Sequence, residues 1–298
     1  MEVNLLGFII LLVNNNNNER SLKYFLIQSL RSVILIRSAL LTENFSSKNL
    51  QLLIILALLL KLGTAPLHFW LPIITENLTN YQLIFLLTWQ KLAPLYLVFT
   101  LPFQNITIFF IVRRLLVGAL GSLNELRIYS LLTYSSINHT GWILLTMLSN
   151  EIITVLYLIF YTIMVTVVLL PINSKSSQSI WLIKNSNKYL IFINLLSLAG
   201  LPPFAGFIIK WILLSQIFIY LNIVINMVMI LTSIILLYFY LRISMNRFFK
   251  NSIYLLNFIK IKNENVYAFR LLNLVIIFIL LIYVSSIYKY IQLLTEKN

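Results

Sequence analysis

Three lysines of this sequence lie inside long apolar runs, where a charged side chain is costly. Lys61, Lys91 and Lys210 sit in stretches dominated by leucine, isoleucine and other apolar residues. A charged side chain at the centre of a membrane costs at least ~2.5–3.5 kcal/mol on insertion scales. An amine that is partly removed from water can take up and release a proton under working conditions. Lys91, near the middle of its run, is therefore expected to face a hydrated interior.

Two of these lysines stand beside a break in an apolar run. Residues 50–76 contain "KLGTAP", and residues 187–220 contain "LAGLPPFAGFIIKW". A straight helix over the second run would be ~51 Å long, so the run must bend or break at its glycines and prolines. Lys61 precedes its break and Lys210 follows its own, an order typical of inverted repeats. Paired interrupted segments indicate a transport site near the midplane. The alternative is irregular packing, with lysines that extend to the headgroup region.

Composition places the chain in a membrane. It is 60% hydrophobic and only 10% charged, whereas soluble domains carry roughly 25% charged residues. The abundance of Ile, Leu, Asn, Phe, Tyr and Lys is typical of an AT-rich organelle genome. The net charge of +14 lies mainly in connections between apolar runs, which argues against nucleic-acid binding.

Few residues could hold a metal or a redox cofactor. The chain has no cysteine, two histidines (His68 and His139) and eight acidic residues. Disulfides and cysteine-ligated metals are excluded, and no glycine-rich phosphate loop follows a strand. We therefore expect no cofactor-binding and no metal site in this chain. Glu2 is the only carboxylate within reach of a span near the buried lysines.

Ten apolar segments of membrane-spanning character predict an all-α polytopic bundle. The first is too short to cross alone, because eleven apolar residues rise only ~17 Å against a ~30 Å core. The segments lie at about 1–13, 22–42, 50–76, 80–100, 105–123, 128–148, 151–171, 187–220, 222–243 and 268–289.

Basic residues concentrate in alternate connections, which sets the orientation. The odd-numbered connections are predicted to face the negative compartment, and both termini the other side. Lys48 is the main exception. Segment 246–270 is basic and aromatic, and residues 246–267 are predicted to lie along the membrane surface. The alternative for this segment is contact with a partner subunit. The basic residues that set the orientation are Arg20, Lys23, Arg127, Lys175, Lys184, Lys188, Arg247, Lys250, Lys260 and Lys262.

Six ordered blocks resemble the NADH dehydrogenase subunit 2 family, the mitochondrially encoded antiporter-like subunits of respiratory complex I. The resemblance covers nearly the whole chain and is weakest over the last fifty residues. The blocks are "EVNLL" (2–6), "KYFLIQS" (23–29), "KLGTAPLHFWLP" (61–72), "LTWQKLAP" (87–94), "YSSINHTGW" (134–142) and "GLPPFAGFIIKW" (200–211).

The resemblance implies a fold and a set of site residues. The fold would be a single antiporter-like domain over residues 1–298, built from two inverted five-helix repeats that each contain one broken helix. Glu2 would match the glutamate of a Glu–Lys pair and Lys61 its partner. Lys91 would match the central lysine, Lys210 the terminal lysine, and His139 a histidine near their axis.

The chain also departs from the family. The first helix that animal members usually keep has no counterpart, so we expect an N-terminally truncated domain with Glu2 beside its start. The family's usual Arg-Lys pair is replaced by Tyr129 and Ser130, and Arg127 could supply part of that charge. Four arginines lie where relatives are mostly apolar. They would contact lipid phosphates or a neighbouring subunit, or else join the polar axis: Arg31, Arg37, Arg113 and Arg114.

The function implied is proton translocation by a membrane-arm subunit of H⁺-translocating NADH:ubiquinone reductase. Quinone reduction elsewhere would drive it, and other subunits would bind NADH, FMN, iron–sulfur clusters and ubiquinone. Other membrane-arm subunits and phospholipids such as cardiolipin would be the partners, in the mitochondrial inner membrane with both termini on the intermembrane-space side. The alternatives are a structural membrane-arm linker with reduced or lost pumping, and a stand-alone cation/proton antiporter.

Overall fold

The computed structural model describes most of the chain up to residue 256. The described residues are 2–13, 18–44, 48–76, 78–101, 105–125, 127–147, 151–170, 172, 188–202, 204–220 and 223–256. Over these residues the chain forms α-helices and no strand. They are α1 (Glu2–Val13), α2 (Asn18–Asn44), α3 (Lys48–Lys61), α4 (Trp70–Thr75), α5 (Asn80–Leu87), α6 (Trp89–Phe99), α7 (Asn105–Leu123), α8 (Ile128–Thr146), α9 (Glu151–Leu169), α10 (Lys188–Ala199), α11 (Ala205–Tyr220) and α12 (Ile223–Leu256).

The chain divides into two compact units, residues 1–188 and 189–298, which are described separately. That residues 1–298 form one domain stays a prediction. The predicted segment 268–289 lies outside the described residues, so the count of ten segments also stays a prediction. Helix α12 continues to Leu256, beyond the predicted end of its segment at 243. The rest of the predicted surface segment, residues 257–267, lies outside the described part.

Helix α8 is the centre of the first unit. Every one of its residues except Tyr134 is buried, and it packs against α4, α5, α7 and α9. Its many hydroxyl groups are satisfied within the helix: Ser136 Oγ donates to the Thr133 carbonyl at 2.6 Å, and Thr140 Oγ1 to the Ser136 carbonyl at 2.9 Å. Such back-bonding lets serine and threonine occupy a buried helix. Polar residues can therefore line this core.

Helices α7 and α8 approach closely at Gly118. A Cβ atom added there would lie 2.8 Å from the backbone nitrogen of Asn138. Small residues at helix interfaces let backbones come this near in membranes. The close approach brings the neighbouring turns of α7 directly against α8.

Both predicted breaks are present and have the same construction. After α3, the Gly63 N–H donates to the Leu60 carbonyl and the Thr64 N–H to the Leu59 carbonyl. This is the Schellman pattern, and it requires the left-handed backbone of Gly63, at φ 69°.

In the second unit, α10 ends in the same way. The Gly200 N–H donates to the Ser197 carbonyl and the Leu201 N–H to the Leu196 carbonyl, with Gly200 at φ 87°. Each run therefore stops at a glycine and resumes as a second helix.

A third interruption was not predicted. The run 80–100, expected as one span, is divided at Thr88, where φ is −113° and ψ is −74°. Pro94 lies inside α6 and has no N–H to donate to the carbonyl four residues earlier. The backbone is therefore irregular at Thr88, three residues before Lys91, and lacks one hydrogen bond at Pro94, three residues after it. The Lys91 N–H donates to the Thr88 carbonyl at 3.1 Å.

The helices have the lengths and exposed faces of a membrane protein. Among the described residues, four stretches are long and apolar enough to cross a membrane: Ser21–Leu41, Asn80–Phe99, Glu151–Leu169 and Ile223–Arg242. On α9, Ile152, Leu156, Ile159 and Ile163 are exposed, as expected for a face that meets lipid.

At one end of the first unit, several connections lie close together. The charge pattern predicts that these connections are on the same side of the membrane. The end of α1 contacts the start of α5, the start of α5 contacts the end of α9, and the connection after α4 contacts the start of α8. The hydrogen bonds and the ion pair that join them are those of Gln82 with Leu11, Asn80 with Leu169 and Ile172, and Arg127 with Glu76.

Candidate functional site

A small cavity beside the first break contains both Lys61 and Lys91 in its walls. Its volume is about 30 Å³, room for one or two water molecules. Helices α1, α2, α4 and α6 supply most of its walls, and α3 contributes Lys61. The lining residues are Asn4, Leu5, Tyr24, Gln28, Lys61, Leu62, Trp70, Leu71, Leu86, Gln90, Lys91, Ala93 and Pro94.

Lys91 is the more deeply buried of the two lysines. It is 5% exposed, and its Nζ donates to the Ser136 carbonyl of α8 at 3.4 Å. Nζ also lies 5.5 Å from the centroid of the Tyr161 ring, within the range of a cation–π contact. The ammonium form of Lys91 is therefore held by a carbonyl and an aromatic face, and no carboxylate contact with it is seen among the described residues.

Tyr161 lies close to both Lys91 and His139. The His139 and Tyr161 rings lie 5.3 Å apart between centroids, so Tyr161 contacts both residues. His139 is 3% exposed, and its Nδ1 is 2.9 Å from the Tyr157 hydroxyl. The structure thus brings His139 to the same polar region as Lys91, through an aromatic residue of α9 that sequence reasoning did not identify.

Lys61 occupies the last residue of α3 and is partly buried. Across the cavity, the Gln90 amide donates to the Asn4 carbonyl at 2.9 Å, which ties α6 to α1 just after Glu2. Glu2 itself begins α1, but its side chain lies outside the described part of the structure. That Glu2 pairs with Lys61 therefore stays a prediction.

Lys210 belongs to the second unit and caps its break. It is 2% exposed, and its Nζ donates to the carbonyls of Leu198 and Ala199 at 3.1 and 2.9 Å. These carbonyls end α10 and have no intrahelical partner. The Lys210 ammonium group therefore compensates the partial negative charge of the last carbonyls of α10.

Arg114 belongs to the polar interior. Of the two alternatives for the four arginines, contact with lipid or a neighbouring subunit and a place in the polar axis, Arg114 fits the second. It is 0% exposed, and it donates from Nε to the Ile137 carbonyl at 2.9 Å and from Nη2 to the Leu62 carbonyl at 3.0 Å. The available signal was its spacing: Arg114 lies four residues before Gly118, hence on the helix face that approaches α8.

The other three arginines lie elsewhere. Arg31 is buried with its guanidinium 4.6 Å from the Trp70 ring centroid. Arg113 and Arg37 are exposed, and the Arg113 guanidinium lies 4.7 Å from the Phe109 ring centroid. Exposure of Arg37 and Arg113 fits contact with lipid phosphates or a neighbouring subunit.

The residues at the positions of the family's Arg-Lys pair, and Arg127 before them, make structural contacts at the start of α8. Arg127 pairs with Glu76 at 3.2 Å, and both side chains are about half exposed. Ser130 Oγ donates to Glu125 Oε2 at 2.6 Å, and the Tyr129 hydroxyl donates to Asn80. Over the described residues, no three His, Asp or Glu side chains cluster as metal ligands do.

Comparison with known sequences gives consistent matches. A family model described as NADH:quinone oxidoreductase/Mrp antiporter, transmembrane, matches residues 1–236. The chain is 38% identical over 268 residues to NADH-ubiquinone oxidoreductase chain 2 of Anopheles gambiae, covering 84% of this chain and 79% of that protein. It is 37% identical over 264 residues to the protein of the same name from Symphalangus syndactylus, covering 82% and 76%.

Comparison with solved structures gives the same fold. A chain of respiratory complex I from Thermus thermophilus matches with a TM-score of 0.69 at 23% identity, covering 78% of this chain and 60% of that one. A chain of the Mrp complex from Dietzia matches with a TM-score of 0.68 at 21% identity, covering 76% and 50%. The chain thus spans between half and two thirds of these solved chains, and the predicted all-α antiporter-like membrane fold is confirmed.

Proposed function

This chain belongs to the NADH:quinone oxidoreductase/Mrp antiporter transmembrane family, and on that premise we propose that it moves protons as a membrane-arm subunit of complex I. The observation that carries the proposal is the cavity beside the first break, which has Lys61 and Lys91 in its walls. The resemblance to NADH dehydrogenase subunit 2 has its counterpart in the relatives named NADH-ubiquinone oxidoreductase chain 2.

The chemistry of the site suits proton transfer. A primary amine in a nearly dry site can hold or release one proton, and water in the cavity can carry that proton between two amines. Lys91 meets a carbonyl and an aromatic ring, which support its ammonium form. Lys61 and Lys91 are the residues that exchange the proton, and His139 lies beyond Tyr161 as a further carrier.

Lys210 serves as the terminal lysine of the pathway, and Glu2 as the carboxylate partner of Lys61. The support for Lys210 is its burial against the broken end of α10, which repeats the construction at the first break. The support for Glu2 is its place at the start of α1, two residues before the cavity-lining Asn4.

The membrane location, the partners and the orientation of the chain are proposed from its family and its charge pattern. The chain lies in the mitochondrial inner membrane, with other membrane-arm subunits and phospholipids such as cardiolipin as its partners. The odd-numbered connections face the matrix and both termini the intermembrane space. The meeting of those connections at one end of the first unit supports the predicted alternation. Quinone reduction in other subunits supplies the energy.

The proposal is tested by Lys61→Met in the assembled complex, with Lys23→Met as the matched control. Lys23 is exposed on α2 and lines no part of the cavity. We expect Lys61→Met to lower the ratio of protons moved to electrons transferred in reconstituted vesicles, because methionine cannot carry a proton, while Lys23→Met keeps the wild-type ratio.

Two results would favour the alternatives. A wild-type ratio in Lys61→Met would indicate a structural linker that has lost pumping. A chain that migrates alone on native gels, rather than in a large respiratory assembly, would indicate a stand-alone antiporter.

A further inference from the structure

We propose that Tyr161 is a positioning residue for proton transfer, whose ring stabilises one positive charge shared between Lys91 and His139. The proposal deepens the proposed function and rests on it. Tyr161 belongs to none of the six blocks that carry the family resemblance, so that resemblance gives it no role.

The Tyr161 ring contacts two titratable side chains that come from different helices. The Lys91 Nζ of α6 lies 5.5 Å from the centroid of the ring. The His139 ring of α8 lies 5.3 Å from the same centroid, at an interplanar angle of 38°. All three residues are buried, and charges in buried sites are screened much less than charges in water. One aromatic ring of α9 therefore acts on both residues at short range.

The contact between the ring and Lys91 depends on the charge of Lys91. The face of an aromatic ring attracts a cation, and a neutral amine lacks that charge. The contact therefore favours the ammonium form, and it weakens when an Nζ–H bond breaks and the proton leaves. In a desolvated site, a cation–π contact changes the ratio of protonated to neutral amine by about 30-fold. Without the ring, Lys91 would bind its proton less tightly.

A fixed positive charge opposes the proton on Lys91. Arg114 and Lys91 donate to the consecutive carbonyls of Ile137 and Ser136 on α8, and arginine stays protonated in proteins. Positive charges this close repel each other. The Tyr161 ring offsets the repulsion, which lets Lys91 take up a proton beside Arg114. The other titratable side chains that line the cavity with Lys91 are Lys61 and Tyr24.

His139 provides the second position for the charge. Its Nδ1 lies 2.9 Å from the hydroxyl of Tyr157, which precedes Tyr161 by one turn of α9, so two tyrosines of one helix orient the imidazole. A protonated imidazole beside the Tyr161 ring is stabilised as the ammonium group is, whereas charges on both residues would repel each other. The pair therefore holds one proton, and the ring stabilises that proton at either residue.

The test separates the ring of Tyr161 from its hydroxyl in the assembled complex. Tyr161→Leu removes the ring, and Tyr161→Phe keeps the ring without the hydroxyl. Tyr96→Leu is the matched control, because Tyr96 is 68% exposed on the same helix as Lys91.

We expect Tyr161→Leu to lower the proton-to-electron ratio of reconstituted vesicles at neutral pH. The ratio should recover when the pH falls by about one unit, because a higher proton concentration reloads a Lys91 that binds protons less tightly. We expect Tyr161→Phe and Tyr96→Leu to keep the wild-type ratio and its pH profile.

Three results would overturn the proposal: a wild-type ratio in Tyr161→Leu, a loss in Tyr161→Leu that is the same at every pH, or a ratio in Tyr161→Phe as low as in Tyr161→Leu. If Tyr161→Leu fails to assemble, Tyr161→Met, which also lacks a ring, is judged by the same criteria. The Lys61→Met ratio separates the two levels, since a wild-type value there removes the proposed function itself.

Discussion

Methionine in place of Lys91 is expected to abolish proton movement through this chain while quinone reduction by the complex continues at a reduced or uncoupled rate. Lys91 is 5% exposed and reaches the cavity, α8 and Tyr161 together. Methionine fills a similar volume but carries no proton. Loss of a positioned proton-transfer group typically slows its step ~10²–10⁴-fold, so the remaining flux would be negligible beside wild type.

The variant Lys91→Arg distinguishes proton exchange from a requirement for charge. Its guanidinium would keep a positive charge near Ser136 and Tyr161 but would not release its proton. We therefore expect Lys91→Arg to be as defective as Lys91→Met in the proton-to-electron ratio of reconstituted vesicles, and Lys23→Met to match wild type. A normal ratio in Lys91→Arg would mean that Lys91 acts only as a fixed charge.

Alanine in place of Gly206 is expected to prevent stable assembly, because a Cβ atom there would make the shortest contact of any glycine in the described chain. A Cβ there would lie 1.8 Å from the Ser197 carbonyl oxygen and 2.9 Å from its carbon. Backbone atoms cannot move aside as a flexible side chain can, so α10 and α11 would have to separate at the break. Overpacking of this kind costs ~1–3 kcal/mol or more, and it would also disturb the carbonyls that Lys210 contacts.

Gly7→Ala is the matched control for Gly206→Ala. Apart from its chain neighbours and its own helical backbone, no heavy atom lies within 4 Å of a Cβ added at Gly7. Alanine is favoured over glycine in a helix by ~1 kcal/mol. Assembly on native gels and thermal inactivation of the complex would measure both variants. We expect Gly7→Ala to equal or exceed wild type and Gly206→Ala to be lost or strongly destabilised. Equal stability of the two variants would contradict the close helix contact.

The breaks and their lysines could be predicted because each is energetically costly in a membrane helix. A lysine at the centre of an apolar run and a glycine or proline interruption both carry a cost, and the sequence contains the pair twice. The structure accordingly ends α3 at Lys61 and α10 just before Gly200. No sequence pattern predicted that Lys61 and Lys91 line one cavity, because this depends on how α3 packs on α6.

The division at Thr88 and the inward orientation of Arg114 were not predicted, for a different reason. Both arise from tertiary contacts: the run 80–100 is apolar enough for one span, and an arginine in an apolar helix can equally face lipid headgroups. Only the approach of α7 to α8 at Gly118 directs Arg114 inward. Spacing from that glycine separates Arg114 from the exposed Arg113, and would serve as a criterion in related sequences.

The central claim is that Lys61 and Lys91 act on one proton path, and the double variant Lys61→Met, Lys91→Met tests it most directly. Residues that act as a unit are not additive, whereas independent sites are. The proton-to-electron ratio of the double variant is expected to equal that of either single variant. A ratio lower than both, by the sum of the two losses, or a wild-type ratio in any of the three, would contradict the claim.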